Sequence, residues 1–140
     1  MPYQEALQEV VNEIKLDEGF VGVEYKDHLG FPTIGYGTKL PLTEEEAELL
    51  LKHRLGKMVR ELLRHKPIVE ELPIDAKLII LNMAYQLGVP RLLGFKRMWA
   101  ALERKDFIEA AKEMRDSLWN KQTPSRSNKL ASIMSEVQFA

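Results

Sequence analysis

The sequence predicts an α+β fold, mainly helical, with one small antiparallel sheet inserted early. Three observations predict it. Apolar residues recur at spacings of three and four over most of the chain. A single stretch breaks that period, with Gly19, Gly22, Gly30, Gly35 and Gly37 set among the strand formers Tyr25, Phe31, Thr33, Ile34 and Tyr36. No internal repeat, low-complexity tract or linker divides the chain, and its 140 residues fit one domain.

The first helix is expected over Tyr3 to Leu16, where Tyr3, Leu7, Val10, Val11 and Ile14 form one apolar stripe. Glu18 continues that stripe, four residues after Ile14, and Gly19 follows where helices end. A carboxylate is therefore expected to point inward at the negative end of a helix dipole. Burial and dipole both disfavour its ionised form and push its pKa upward, which suits a general acid. Residues 20–40 are then expected to fold as a twisted β-element turning at His28-Leu29-Gly30, with Pro32 confining its strand to an edge.

Thr43-Glu44-Glu45-Glu46 is a capping box. A long helix should follow to Pro67, with Ala47, Leu51, Leu55, Met58 and Leu62 inward, glutamates in its early turns and Lys/Arg in its later ones. A second helix is expected from Pro73 or Ile74 to Leu87, stopped by Gly88 and Pro90. It is apolar almost all round, so it should be the central buried one. Shorter helices are expected at Lys96–Arg104, at Asp106–Ser117 with Asp106 as cap, and at Ser125–Val137.

Composition narrows the classes. With no cysteine, disulfides and thiolate metal sites are excluded. His28, His53 and His65 have no metal-ligand spacing and read as surface residues, so neither a metal nor a cofactor is expected. No apolar run approaches the ~20 residues that cross a bilayer, so no membrane insertion is expected. The N-terminus lacks a signal-peptide pattern, which implies a cytoplasmic location on synthesis and release through a membrane lesion. Residues 1–51 hold eleven acidic and three basic residues, a balance of −8, against +7 on the remainder. The basic part suits an anionic polymer; the plainer reading is two solvated faces. A formal net charge of −1 leaves little phosphate affinity, so no nucleic-acid partner is expected.

Asp27 lies nine residues after Glu18, and Thr33 six residues later. If the hairpin folds back on the helix end, an acid, a more solvated carboxylate and a hydroxyl converge. Such a trio suits glycosidic hydrolysis: Glu18 protonates the leaving oxygen, while Asp27 and Thr33 hold a water for the opposite face of the sugar. The plainer reading makes Asp27 the start of an Asx turn and Thr33 an ordinary strand residue. Asn82 and Gln86 stand one helical turn apart on an apolar helix, so they need partners: a cleft floor or simply each other. Trp119 reads as core rather than as a sugar platform, and Gln122 and Thr123 as ties for the final helix.

Longer motifs carry a resemblance. Leu16-Asp17-Glu18-Gly19, Tyr25-Lys26-Asp27, Gly30 and Thr33-Ile34-Gly35-Tyr36-Gly37 resemble the active-site segment of the T-even-type phage lysozymes, a family of endolysins (muramidases) that cleave peptidoglycan. The likeness resumes at Asn82-Met83-Ala84-Tyr85-Gln86-Leu87-Gly88 and at Trp119-Asn120-Lys121-Gln122-Thr123-Pro124-Ser125-Arg126. It implies a lysozyme-like two-lobed fold with the active-site cleft between lobes, the small lobe at about 15–60 and the helical lobe at about 1–14 and 61–140. It implies Glu18 as general acid, Asp27 and Thr33 as holders of the hydrolytic water with inversion, Tyr85 and Gln86 as glycan contacts, and Arg126, with Asn82, steadying the acid. An arginine partner lowers a carboxyl pKa, against the burial argument, and the sequence leaves that balance open.

This chain departs from the family pattern in places. Thr38 replaces a histidine, so an ion pair made by that histidine is not expected. The connection from Gly37 to the Thr43 cap is shorter, so a reduced small lobe is expected. Glu113 stands where the T-even protein has a substrate-binding asparagine, and this chain is near neutral where that protein is basic. The resemblance implies a monomer acting on bacterial cell-wall peptidoglycan. The alternatives are a lytic transglycosylase, which needs no water-holding pair, and an inactive wall-binding or phage structural module.

Overall fold

The computed structural model describes residues 2–138, with the side chains of Pro2 and Tyr3 outside that description. The side chain of Tyr3 in the expected stripe therefore lies outside that description. The element order is α1 (Pro2–Glu18), β1 (Val21–Lys26), β2 (Pro32–Gly35), β3 (Thr38–Lys39), α2 (Glu44–His65), a 3-10 turn (Pro67–Glu71), α3 (Ile74–Leu87), α4 (Val89–Leu93), α5 (Lys96–Glu103), α6 (Phe107–Arg115), α7 (Leu118–Gln122) and α8 (Pro124–Ser135). The expected α+β class holds. The chain forms two compact units, residues 1–50 and 51–140.

In the first unit α1 ends at Glu18, and Gly19 follows at φ +70° with its amide donating to the Lys15 carbonyl at 3.0 Å. The sheet is antiparallel in the order β1-β2-β3. Tyr25 and Lys26 face Thr33 and Pro32, while Thr33 and Ile34 face Lys39 and Thr38. β2 is thus the central strand, which corrects the edge placement expected from Pro32. Pro32 is the first residue of its strand, where a missing N–H breaks no ladder, and its carbonyl accepts from the Leu40 amide at 2.9 Å. The two-residue β3 carries no hydropathy signal and was not expected.

The stripe on α1 forms but stays about half exposed. Leu7, Val10, Val11 and Ile14 remain 41–52% exposed, which corrects the buried face expected there. A unit of this size has little surface to spare for a core. Among its described residues Thr33 alone is fully buried. The capping box forms as written: Thr43 Oγ1 accepts from the Glu46 amide at 3.1 Å, and Glu46 Oε1 accepts from the Thr43 amide at 2.9 Å. Those bonds, the Thr43 backbone one foremost, lower the Glu46 pKa. Of the inward residues expected along α2, Leu62 is buried, Leu55 and Met58 are half-buried, and Ala47 and Leu51 stay exposed.

The second unit holds the core. α3 runs from Ile74 to Leu87 and ends at Gly88, as expected, burying Ala76, Ile79, Ile80, Met83 and Ala84. It is not buried all round, since Ile74, Leu78 and Tyr85 face out. Around it close Trp99, Trp119, Leu92, Met98, Leu102, Met114 and Met134. α6 packs on α5 and α8, and Asp106 caps it by accepting from the Glu109 amide at 3.0 Å. The unexpected short helices α4 and α7 have five residues each, too few to announce themselves by periodicity. Ser117 starts α7, its hydroxyl accepting from the Asn120 amide at 3.2 Å, rather than ending α6. Among the described residues no helix is long and apolar enough to cross a membrane, and no cluster suits a metal. His28, His53 and His65 are exposed, as expected.

Candidate active site

The expected residues fall into two sets, one within each unit. In the first unit the hairpin between β1 and β2 is organised around the backbone of Phe31. Its amide donates to Asp27 Oδ1 at 2.8 Å, and its carbonyl accepts from both the Asp27 amide and Thr33 Oγ1 at 2.9 Å. Leu29 donates a second amide to Asp27 Oδ1 at 2.9 Å. Asp27 therefore does begin an Asx-type turn, and the same turn fixes where its carboxylate sits. One backbone residue thus sets both Asp27 and Thr33.

Asp27 Oδ2 is bonded by the Lys39 ammonium, an ion pair in which the aspartate side chain is 10% exposed and the lysine 59%. The Lys39 bond, with the Phe31 and Leu29 amides behind it, lowers the Asp27 pKa to about 2. Lys39 is raised in turn, first by Asp27 and further by the charge of Glu18. Sequence reasoning passed over this lysine. No local pattern marks it: only once β3 exists is Lys39 the direct cross-strand neighbour of Thr33, sharing its face.

Glu18 is the last residue of α1, and it is exposed. That corrects the expected burial: the stripe it continues is itself about half exposed. The glutamate is placed by other means. Tyr36, in the turn between β2 and β3, lies against Phe20 at 5.6 Å between ring centroids and under Lys15 Nζ at 5.4 Å. This pins the turn to the end of α1. At its far side Gly37 has φ +73°, and a Cβ built there would come within 2.7 Å of Glu18 Cδ. Gly37 is therefore a bed for the acid side chain. Gly37→Ala is expected to cost roughly 1–2 kcal/mol through its backbone and to push Glu18 aside. Turnover should fall by more than the thermal stability lost explains; a variant as active as wild type would remove Gly37 from the site.

In the second unit Arg126 donates to Asn82 Oδ1 through Nε at 3.0 Å and Nη2 at 2.6 Å. Gln86 Oε1 accepts from Trp119 Nε1 at 3.0 Å, and its amide nitrogen donates to Thr123 Oγ1 at 3.4 Å. The two amides have separate partners and do not pair with each other. Tyr85 is 44% exposed and open to a ligand. Trp119 is 1% exposed and belongs to the core, as read from the sequence. Gln122 accepts from Arg91 at 2.7 Å, and Thr123 precedes α8 while donating to the Trp119 carbonyl at 3.2 Å. A pocket of about 410 Å³ lined by Arg91, Phe95, Arg97, Glu113, Leu118 and Trp119 contains none of the expected site residues.

The element order and the small three-stranded sheet are those of a lysozyme-like α+β fold. The chain belongs to the phage lysozyme family, whose model matches residues 15–134. It is 32% identical to probable T4-type lysozyme 1 of Dictyostelium discoideum, over 86% of this chain and 90% of that protein. It is 38% identical to probable T4-type lysozyme 2 of the same organism, over 47% of this chain and 39% of that one. It is 29% identical to the pre-baseplate central spike protein Gp5 of Enterobacteria phage T4, over 86% of this chain but 26% of that protein.

Proposed function

We propose that this chain is a peptidoglycan hydrolase that cleaves the β-1,4 bond between N-acetylmuramic acid and N-acetylglucosamine with inversion. Glu18 gives its proton to the leaving glycosidic oxygen as the bond to the anomeric carbon breaks. A water held by Asp27 and Thr33 adds to the opposite face, and its proton passes to solvent. Asp27, ionised above about pH 2, is an acceptor throughout the working range. So weak a base aims the water and stabilises the positive sugar rather than drawing off a proton early.

The observation that carries this reading is the shared anchoring of the trio. Phe31 holds Asp27 and Thr33, and Gly37 in the turn between β2 and β3 beds Glu18. The lysozyme names of the relatives, one matched along nearly its whole length, support the substrate class. The experiment is a digest of purified peptidoglycan followed by mass spectrometry. Fragments with a reducing muramic end that have gained water are expected. An anhydro-muramic end would mean a transglycosylase, and no cleavage would mean an inactive module; either overturns the reading.

A further inference from the structure

We propose that Lys39 is a positioning residue of the hydrolytic water, acting through Asp27; this rests on the hydrolase reading above. A carboxylate offers about four acceptor sites, two on each oxygen. On Asp27 the Leu29 and Phe31 amides take both sites of Oδ1. Lys39 takes one on Oδ2. One acceptor site remains, and the lysine decides which way it points. The cross-strand register places Lys39 beside Thr33, whose hydroxyl hydrogen is already given to the Phe31 carbonyl. Thr33 is fully buried, and a water that reaches its hydroxyl can meet it only as an acceptor. A water bound to both residues must donate to both, which leaves its lone pair free for the sugar. Lys39 thus completes an arrangement in which the water has one orientation.

The charged and titratable groups that face this lysine are Asp27, Glu18 and Tyr25. The sign of the pH effect follows from Asp27, whose folded pKa is lowered. The pair is intact above the ordinary aspartate value, about 3.9, and is lost as pH falls toward 2. Without Lys39, protonation of Asp27 moves up, though the Phe31 and Leu29 amides still hold it below the ordinary aspartate value.

The test compares wild type with Lys39→Met, which keeps the stem and removes the charge, and with Lys39→Arg, which keeps the charge. Turnover of soluble peptidoglycan fragments is followed from pH 3 to pH 7, and the Asp27 carboxyl carbon is titrated by NMR. Lys39→Met is expected to lower kcat with little change in KM. It should lose further activity as pH falls toward 3, because a raised Asp27 midpoint protonates more of the carboxylate there than in wild type. Lys39→Arg should recover most of both. A variant whose Asp27 midpoint rises while its kcat and acid limb match wild type overturns the proposal. So does an unmoved midpoint in a folded Lys39→Met. If wild type turns over no glycan, the hydrolase reading fails and takes the role with it, while the midpoint still reports whether the ion pair exists.

Discussion

Glu18→Gln is expected to reduce glycan turnover by about a thousandfold, or ~4 kcal/mol of barrier, with the fold intact. The amide matches the acid in size, so its place over Gly37 survives. What it loses is the transferable proton. A sugar oxygen leaves poorly as an alkoxide, and the hairpin's Asp27 cannot replace the acid, since it is ionised above about pH 2 with Lys39 engaged on it. Clearing of permeabilised bacterial cells, with far-UV circular dichroism as the fold control, measures the effect. A variant that clears cells at the wild-type rate sinks the acid assignment.

Trp119→Ala should be the most damaging single truncation in the second unit, at roughly 3–5 kcal/mol. Domain stabilities are of order 5–15 kcal/mol, so much of the margin would go. The indole is 1% exposed, stands edge-on to Phe95 at 6.2 Å between centroids, and donates to Gln86. Trp119→Phe separates these contributions. It keeps most of the packing and leaves Gln86 Oε1 without its donor, for about 1–3 kcal/mol. Urea unfolding followed by circular dichroism gives both values. If Trp119→Ala unfolds with wild-type resistance yet loses glycan binding, the residue is a sugar platform after all.

What was legible in the sequence follows from what each element relies on. α3 and the Thr43 cap were readable because local periodicity and a side-chain-to-backbone motif specify them wherever they sit. The end of α1 was readable from Gly19. The trio was visible as a spacing, and longer motifs tied it to a family. The burial of Glu18 was misjudged because a stripe reveals which side of a helix is apolar, not whether anything covers it. The centrality of β2 was missed because its second neighbour is two residues long. Lys39 was missed for the same reason: without β3 it is one surface lysine among many. The partners of Asn82 and Gln86 lie 44 and 33 residues away, and no local pattern encodes such distances.

The Phe31 backbone has a consequence for inheritance. The residue that seats both Asp27 and Thr33 contributes an N–H and a C=O, while the residue as a whole is 57% exposed. Nineteen of the genetically encoded amino acids carry that N–H and C=O, and proline lacks the N–H. A lineage can therefore place any residue but proline here and keep these bonds, so the residue that anchors Asp27 and Thr33 is one that its letter does not record.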